Sequence, residues 1–226
     1  MRRAETKRTG LKARLLNLLF PPRCALCRTF LDGGEALLCP ACAARYAPGM
    51  RALRPSGGSF FGGCVAVLPY GAAREAIRRY KFGGKSGLSG PFGLWLADAV
   101  RVGYPALPFD VVTWAPVSRK RLRQRGYDQA RLLAERLAAE LGLSCVQLLE
   151  KTADTPAQSG LKDPARRRAN VAGVYRAKPG VAVAGRRILL VDDVFTTGST
   201  LSECARTLLM AGAERVDCAV LAAKLP

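Results

Sequence analysis

Apolar and polar positions along this chain follow two periods. Short apolar runs stand at 64–68 and 188–191, and apolar-rich stretches, broken by Asp110, Thr113 and Asp217, at 109–115 and 216–221. Runs of this length, without room for a helix, predict strands, and the 188–191 run predicts a buried strand of a parallel sheet. Between them lie longer segments whose apolar residues recur at helical spacing. One covers 70–80 with Ile77 on its inner face, and another covers 88–100. A third covers 127–141, with Ala130, Leu133, Leu137 and Leu141 in register, and a fourth starts at about Ser199 with Leu201, Cys204, Leu208 and Leu209. Strands alternating with helices predict an α/β fold, a parallel sheet flanked by helices.

The ends of two predicted strands carry the chemistry. After 188–191 come Asp192 and Asp193, then Thr196, Thr197, Gly198, Ser199 and Thr200 at the start of a helix. A loop between a strand and a helix N-terminus has free N–H groups and a favourable dipole for an anion. The hydroxyls add donors, and Gly198 lets a phosphate approach the backbone. The two carboxylates suit hydroxyls, or a magnesium ion shared with other oxygens. The stretch therefore asks for a ligand with a phosphate at one end and a polyol in the middle. After 109–115 comes a second candidate anion site, in which five of the seven residues 119–125 are basic. Gly126 permits a sharp turn into the helix that follows. Lys81 and Lys85 sit in a glycine-bearing loop, where solvated lysines are the commoner case. Residues 150–175 form a long polar connection between two strands; loops of this length are usually functional lids or disordered. Arg166, Arg167, Arg168 and Asn170 in it could close over an anion.

The N-terminal part is different in kind. Residues 1–20 read as a basic arm leading into a short amphipathic helix, stopped by Pro21 and Pro22. Cys24 and Cys27, then Cys39 and Cys42, form two C-x-x-C knuckles, a strong signal for four-thiolate zinc. Paired disulfides and an iron–sulfur centre are the alternatives. Four protein ligands would close the zinc site, so its role would be folding and presentation of a surface. Cys64, Cys145, Cys204 and Cys218 are scattered through apolar segments as core residues. The organisation expected is an arm at 1–20, a zinc module at 21–47, a Pro/Gly/Ser-rich linker at 48–62 and a main domain at 63–226.

Composition narrows the chemistry. A chain of 226 residues holds one good core and a small appendage. No apolar run is long enough to span a bilayer, and 15–20 is too short for a secretory segment, so a cytoplasmic protein is expected. The net charge of +19 favours polyanions, unless it only reflects an arginine-rich lineage. Histidine is absent, which removes it as metal ligand, general base or proton shuttle. Aromatic residues are only 7%, so few base-stacking platforms are evident.

The string Val-Asp-Asp-Val-Phe-Thr-Thr-Gly-Ser-Thr at 191–200 resembles the phosphoribosyl-pyrophosphate (PRPP) signature of type I phosphoribosyltransferases. With the cysteine knuckles, Arg-Lys-Arg-Leu-Arg-Gln-Arg-Gly-Tyr-Asp-Gln-Ala at 119–130 and Thr-Pro-Ala-Gln-Ser-Gly-Leu at 155–161, the chain from Phe20 onward is similar to the ComF family. That resemblance implies a type I phosphoribosyltransferase fold binding PRPP with Mg²⁺. Asp192 and Asp193 would hold the ribose hydroxyls, and Thr196, Thr197, Gly198, Ser199 and Thr200 would wrap the 5′-phosphate. Ser118, Arg119, Lys120, Arg121 and Gly126 would form the pyrophosphate loop, with Arg125 joining the two aspartates as catalytic. Arg168 and Asn170 would belong to a flexible loop. The family also implies a role in DNA uptake during natural transformation, with single-stranded DNA and a competence helicase or recombination protein as partners. Three readings follow: a transferase on an unknown acceptor, a single-stranded-DNA handler without turnover, and a zinc-dependent scaffold. No segment announces the acceptor.

Overall fold

The computed structural model describes residues 21–31, 37–46, 52–84, 86–106, 108–154 and 172–225. In chain order the elements are α1 (Pro40–Tyr46), β1 (Cys64–Pro69), α2 (Tyr70–Phe82), α3 (Ser89–Gly103), β2 (Val111–Trp114), α4 (Arg119–Arg125), α5 (Gln129–Leu141), β3 (Leu149–Lys151), β4 (Tyr175–Ala177), β5 (Arg187–Phe195), α6 (Ser199–Met210) and β6 (Arg215–Ala223). A 3₁₀ turn, Ser86–Leu88, precedes α3. Among the described residues no helix is long and apolar enough to cross a membrane.

Four strands form one sheet in the order β1-β6-β5-β2, every neighbouring pair parallel. β3 and β4 pair antiparallel in a separate two-stranded sheet. Strand alternation sends successive β5 residues to opposite faces. Leu189 and Val191 join the core under α2, α3 and α5, with Val65, Val67, Tyr80, Phe92, Leu96 and Leu133. Ile188 and Leu190 join the core under α6, with Cys204, Leu208, Val216 and Val220. A run buried on both faces is apolar throughout, which is why 188–191 shows no alternation.

Three departures from the sequence expectations bear on the site. β5 continues past its apolar run through Asp192 and Asp193 to Phe195, so both acids stand on strand backbone. Residues 119–125 form helix α4 rather than an open loop. Arginine, lysine, leucine and glutamine are good helix formers, and no glycine or β-branched residue interrupts them. Ser118 Oγ accepts from the Arg121 N–H at 3.4 Å to start this helix, and Gly126, at φ +79°, ends it. Finally, residues 52–62 do not hang free. Leu53 and Ala66 exchange backbone hydrogen bonds, the Gly62 N–H donates to Val216 O at 2.9 Å, and Phe61 meets the Phe195 ring edge-on at 6.4 Å. The segment is a strap laid along β1 and across the β5–α6 loop.

Candidate functional site

The carboxyl ends of β5 and β2 lie side by side, since Trp114 registers with Val191. Ligands of open parallel sheets bind at that edge, where strands hand over to helices. Asp192 and Asp193 stand there, followed by the turn to α6. Gly198 caps α6 at φ +73°, and a β-carbon on it would lie 2.8 Å from the Phe195 ring and 3.0 Å from Gly58 Cα. Glycine is therefore required both by conformation and by the strap that crosses the loop. Thr197 Oγ1 and Ser199 Oγ are 2.7 Å apart, so one hydroxyl donates to the other. A small pocket lined by Asp192, Thr196, Gly198, Ser199 and Thr200 opens at the helix start. Behind it, a cleft of about 240 Å³ lies between Ser59–Phe60 of the strap and Ser202–Glu203 of α6.

The two acids are treated differently. By strand parity Asp193 faces the α2 layer, and Lys81 Nζ of α2 stands 2.8 Å from its Oδ1. The Asp193 N–H donates to Asp192 Oδ1 at 2.7 Å. Burial, reinforced by the adjacent charge of Asp193, pushes the Asp192 carboxyl up to about 8, and the Lys81 charge opposes this. Lys81 is thus no solvated loop lysine. It lies in the last turn of α2, with its side chain mostly buried against the acids.

Across the edge, Asp128 organises the turn after β2. Its Oδ2 accepts from the Val117 N–H at 3.1 Å and its Oδ1 from the Arg131 N–H at 3.2 Å, so it caps α5 while pinning the segment before Ser118. An aspartate just ahead of a helical pattern is an N-cap signal, and Gly-Tyr-Asp-Gln carries it. Ser118 is buried, whereas Arg119, Lys120 and Arg123 project into solvent. Arg125 reaches Gln129 Oε1 at 2.7 Å and lies 4.8 Å from the Phe82 ring centre, not in contact with either aspartate. Burial lowers its pKa, and the nearby Asp193 charge opposes that. Arg168 and Asn170 lie outside the described residues, as do the 1–20 arm, Gly33, Gly34 and Lys85.

The four N-terminal cysteines do converge. Their Sγ atoms all lie within 4.8 Å of one another, and those of Cys27 and Cys39 are 3.6 Å apart. Tetrahedral zinc with Zn–S near 2.3 Å sets sulfurs about 3.8 Å apart, so the set fits zinc with small closure. The four sulfurs gather at one centre rather than in two bonded pairs, which favours a shared metal ion over paired disulfides. Contact with the Thr29 hydroxyl and backbone pulls the Cys27 thiol down to about 6, while burial pushes Cys42 up. Four thiolates this close need a cation among them. The knuckle is closed by the Arg23–Phe30 bridge, with the Arg23 guanidinium 3.8 Å from the Phe30 ring centre. Cys64, Cys204 and Cys218 are buried in the core as expected, and Cys145 is only partly so.

A phosphoribosyl transferase domain model matches residues 124–225, and a double zinc ribbon domain model matches residues 15–53. Competence protein ComFC of Streptococcus pneumoniae is 31% identical over 152 residues, 67% of this chain and 64% of its own. Competence protein F of Haemophilus influenzae is 32% identical over 146 residues, 62% of this chain and 63% of its own. DNA utilization protein YhgH of Escherichia coli O157:H7 is 35% identical over 109 residues, 48% of this chain and 47% of its own. The matched stretches thus span less than two thirds of these relatives' length. Among solved structures, the glutamine PRPP amidotransferase of B. subtilis overlaps 58% of this chain and 25% of its own at 26% identity, with a TM-score of 0.37, too loose a likeness to bear on the site. The zinc knuckle, the parallel sheet and the motif loop, together with these relatives and the two matched domain models, support a phosphoribosyltransferase-like protein of the ComF family.

Proposed function

We propose that the chain binds Mg-PRPP at the β5–α6 loop and supports chemistry of the phosphoribosyltransferase type. One observation carries the reading: a carboxylate pair at the end of β5 runs through a short loop into a hydroxyl-lined helix N-terminus, at the edge where β2 also ends. Asp192 and Asp193 accept from the ribose hydroxyls. The N–H groups and hydroxyls of Thr196 to Thr200 receive the 5′-phosphate. The turn at Ser118, with Arg119, Lys120, Arg121 and Gly126, flanks the pyrophosphate, and Arg125 adds positive charge beside Asp193. Arg168 and Asn170 are candidates to cover the ligand. The carboxylate pair suits oxygen-rich company, and Mg²⁺ arriving with the substrate would neutralise charge on the leaving pyrophosphate. In transfer, the C1′–oxygen bond to pyrophosphate breaks as an acceptor nucleophile joins C1′. The protein positions and stabilises charge without supplying a nucleophile, so the absence of histidine is no obstacle. Isothermal titration with Mg-PRPP tests the reading. Saturable binding that weakens at least tenfold in Asp193→Asn supports it, and absence of binding to the zinc-loaded chain overturns it.

A second reading has its own observation. Among the described residues Arg119, Lys120 and Arg123 of α4 form no ion pair, whereas Arg78, Arg101, Arg131, Arg136, Arg176 and Arg187 each meet a carboxylate. Arg125, at the end of the same helix, lies over the ring of Phe82, which is 70% exposed. Uncompensated charge next to an open aromatic face suits the phosphates and bases of a single strand. The relatives named for competence and DNA utilization favour the same ligand, and with it a role in handling incoming DNA. Anisotropy of labelled single-stranded DNA should show binding that falls steeply with salt and weakens in Phe82→Ala. Salt-insensitive binding would remove the reading. Under it, PRPP binding persists without transferase turnover.

A further inference from the structure

Three successive residues at the end of α2 reach three different parts of the molecule. Arg79 Nη2 donates to Ala25 O at 2.7 Å and Leu26 O at 3.1 Å, the two carbonyls between Cys24 and Cys27. The Tyr80 hydroxyl donates to Gln129 O at 2.9 Å, and the Tyr127 hydroxyl donates back to Tyr80 O, which fixes the start of α5. Lys81 pairs with Asp193. Helical residues step by about 100°, so three in a row necessarily point in three directions. The helix then stops at Gly83, whose N–H bonds Arg79 O at 2.8 Å.

We infer that Arg79 and Lys81 are positioning residues through which the zinc knuckle sets the geometry of the carboxylate pair. A metal-bound C-x-x-C turn holds its carbonyls in one place, and Arg79 needs both of them as acceptors. Arg79 so held fixes the last turn of α2 from the knuckle side. Lys81, two residues on, is thereby held at Asp193, and Asp193 is joined to Asp192 through its own N–H. The chain of contacts is continuous: Cys24–Cys27 turn, Arg79, α2, Lys81, Asp193, Asp192. Cys24, Ala25 and Leu26 also share the buried core with Ile77 and Tyr80, so the knuckle and α2 move as one packed unit. Loss of zinc opens the turn, withdraws the two carbonyls, and frees the end of α2 together with Lys81. The inference rests on the reading of the carboxylate pair as the ligand site.

The test uses the full zinc-loaded chain. Amide hydrogen exchange is followed over 79–83 and 192–198, before and after zinc removal by a chelator, in wild type, Arg79→Ala, Arg79→Lys and Lys81→Met. Zinc removal from wild type should raise exchange several-fold in both segments. Arg79→Ala should retain one zinc per chain yet show the same rise, with little further change on chelation, and Arg79→Lys should recover part of the protection. In Lys81→Met, exchange at 192–198 should be high already and indifferent to zinc. Mg-PRPP affinity should weaken about fivefold to tenfold in zinc-loaded Arg79→Ala. Unchanged exchange at 192–198 in Arg79→Ala overturns the inference. So does a chelation effect in Lys81→Met as large as in wild type. If wild type binds no Mg-PRPP, the proposed function falls, while the exchange arms still decide whether the knuckle positions the pair.

Discussion

Lys81 Nζ stands 2.8 Å from Asp193 Oδ1, on the face of β5 opposite to the Asp192 side chain. Strand parity separates the two acids, and the lysine from α2 makes its direct ion pair with Asp193. Removing the lysine leaves a mostly buried carboxylate without its partner. Lys81→Met is expected to cost about 1–3 kcal/mol of stability, read by urea unfolding, and Lys81→Met with Asp193→Asn should recover most of it. A loss in the double variant equal to the sum of the two single losses would show that the pair is not coupled.

The state of Asp192 makes pH a second handle. Its folded value near 8 exceeds the unfolded value of about 3.9, so the protonated carboxyl favours the fold. That stabilisation is complete below the unfolded value and is lost as pH rises through about 8. Asp192→Asn, which stays neutral, should therefore be more stable than wild type at pH 8.5 by about 1–2 kcal/mol, with the gap closing toward pH 5. Ribose hydroxyls need the ionised acceptor, so Mg-PRPP affinity of wild type should rise between pH 6 and 8 with release of a proton. Titration calorimetry in buffers of different ionisation heat measures that release.

Two glycines with similar backbones should respond unequally to alanine. Gly198 and Gly126 both have positive φ, at +73° and +79°. A β-carbon at Gly126 meets nothing within 4 Å, whereas at Gly198 it meets the Phe195 ring and the Gly58 backbone. Gly126→Ala should cost about 1 kcal/mol, the strain of the left-handed conformation alone. Gly198→Ala should cost at least about 2 kcal/mol and abolish Mg-PRPP binding, because the loop or the strap must move. Thermal unfolding with titration calorimetry compares the two.

Zinc removal should act beyond the knuckle. Cys24, Ala25 and Leu26 are buried in the core that also holds Leu189 and Val191. Chelation should expose four thiols to a thiol reagent and lower the unfolding temperature by several degrees. Cys39→Ser should reproduce the loss of metal. An unfolding temperature unchanged by chelation would show that the metal does not hold the knuckle against the core.

Much of this molecule is written locally. The solid run at 188–191 fixes a doubly buried strand, the glycine and hydroxyls after it fix a helix start, and the two C-x-x-C spacings fix a four-sulfur cluster, because each depends on residues within a few positions of one another. Helix α4 was also within reach, since its residues are good helix formers between a serine cap and a left-handed glycine; the family resemblance pointed to a pyrophosphate loop there instead. What lay beyond reach was every contact that depends on the order of strands in the sheet. Parity alone places Asp192 and Asp193 on opposite faces, but only the arrangement β1-β6-β5-β2 and the packing of α2 over it decide that Lys81 meets Asp193. The same packing sets Arg79 against the knuckle carbonyls and the 52–62 strap against Gly198. The sequence by itself determined the elements and their chemistry, through local periodicity and spacing. The tertiary structure decided which lysine is a site residue and which linker is a wall, because contacts between residues remote in the chain follow from packing, which no local pattern encodes.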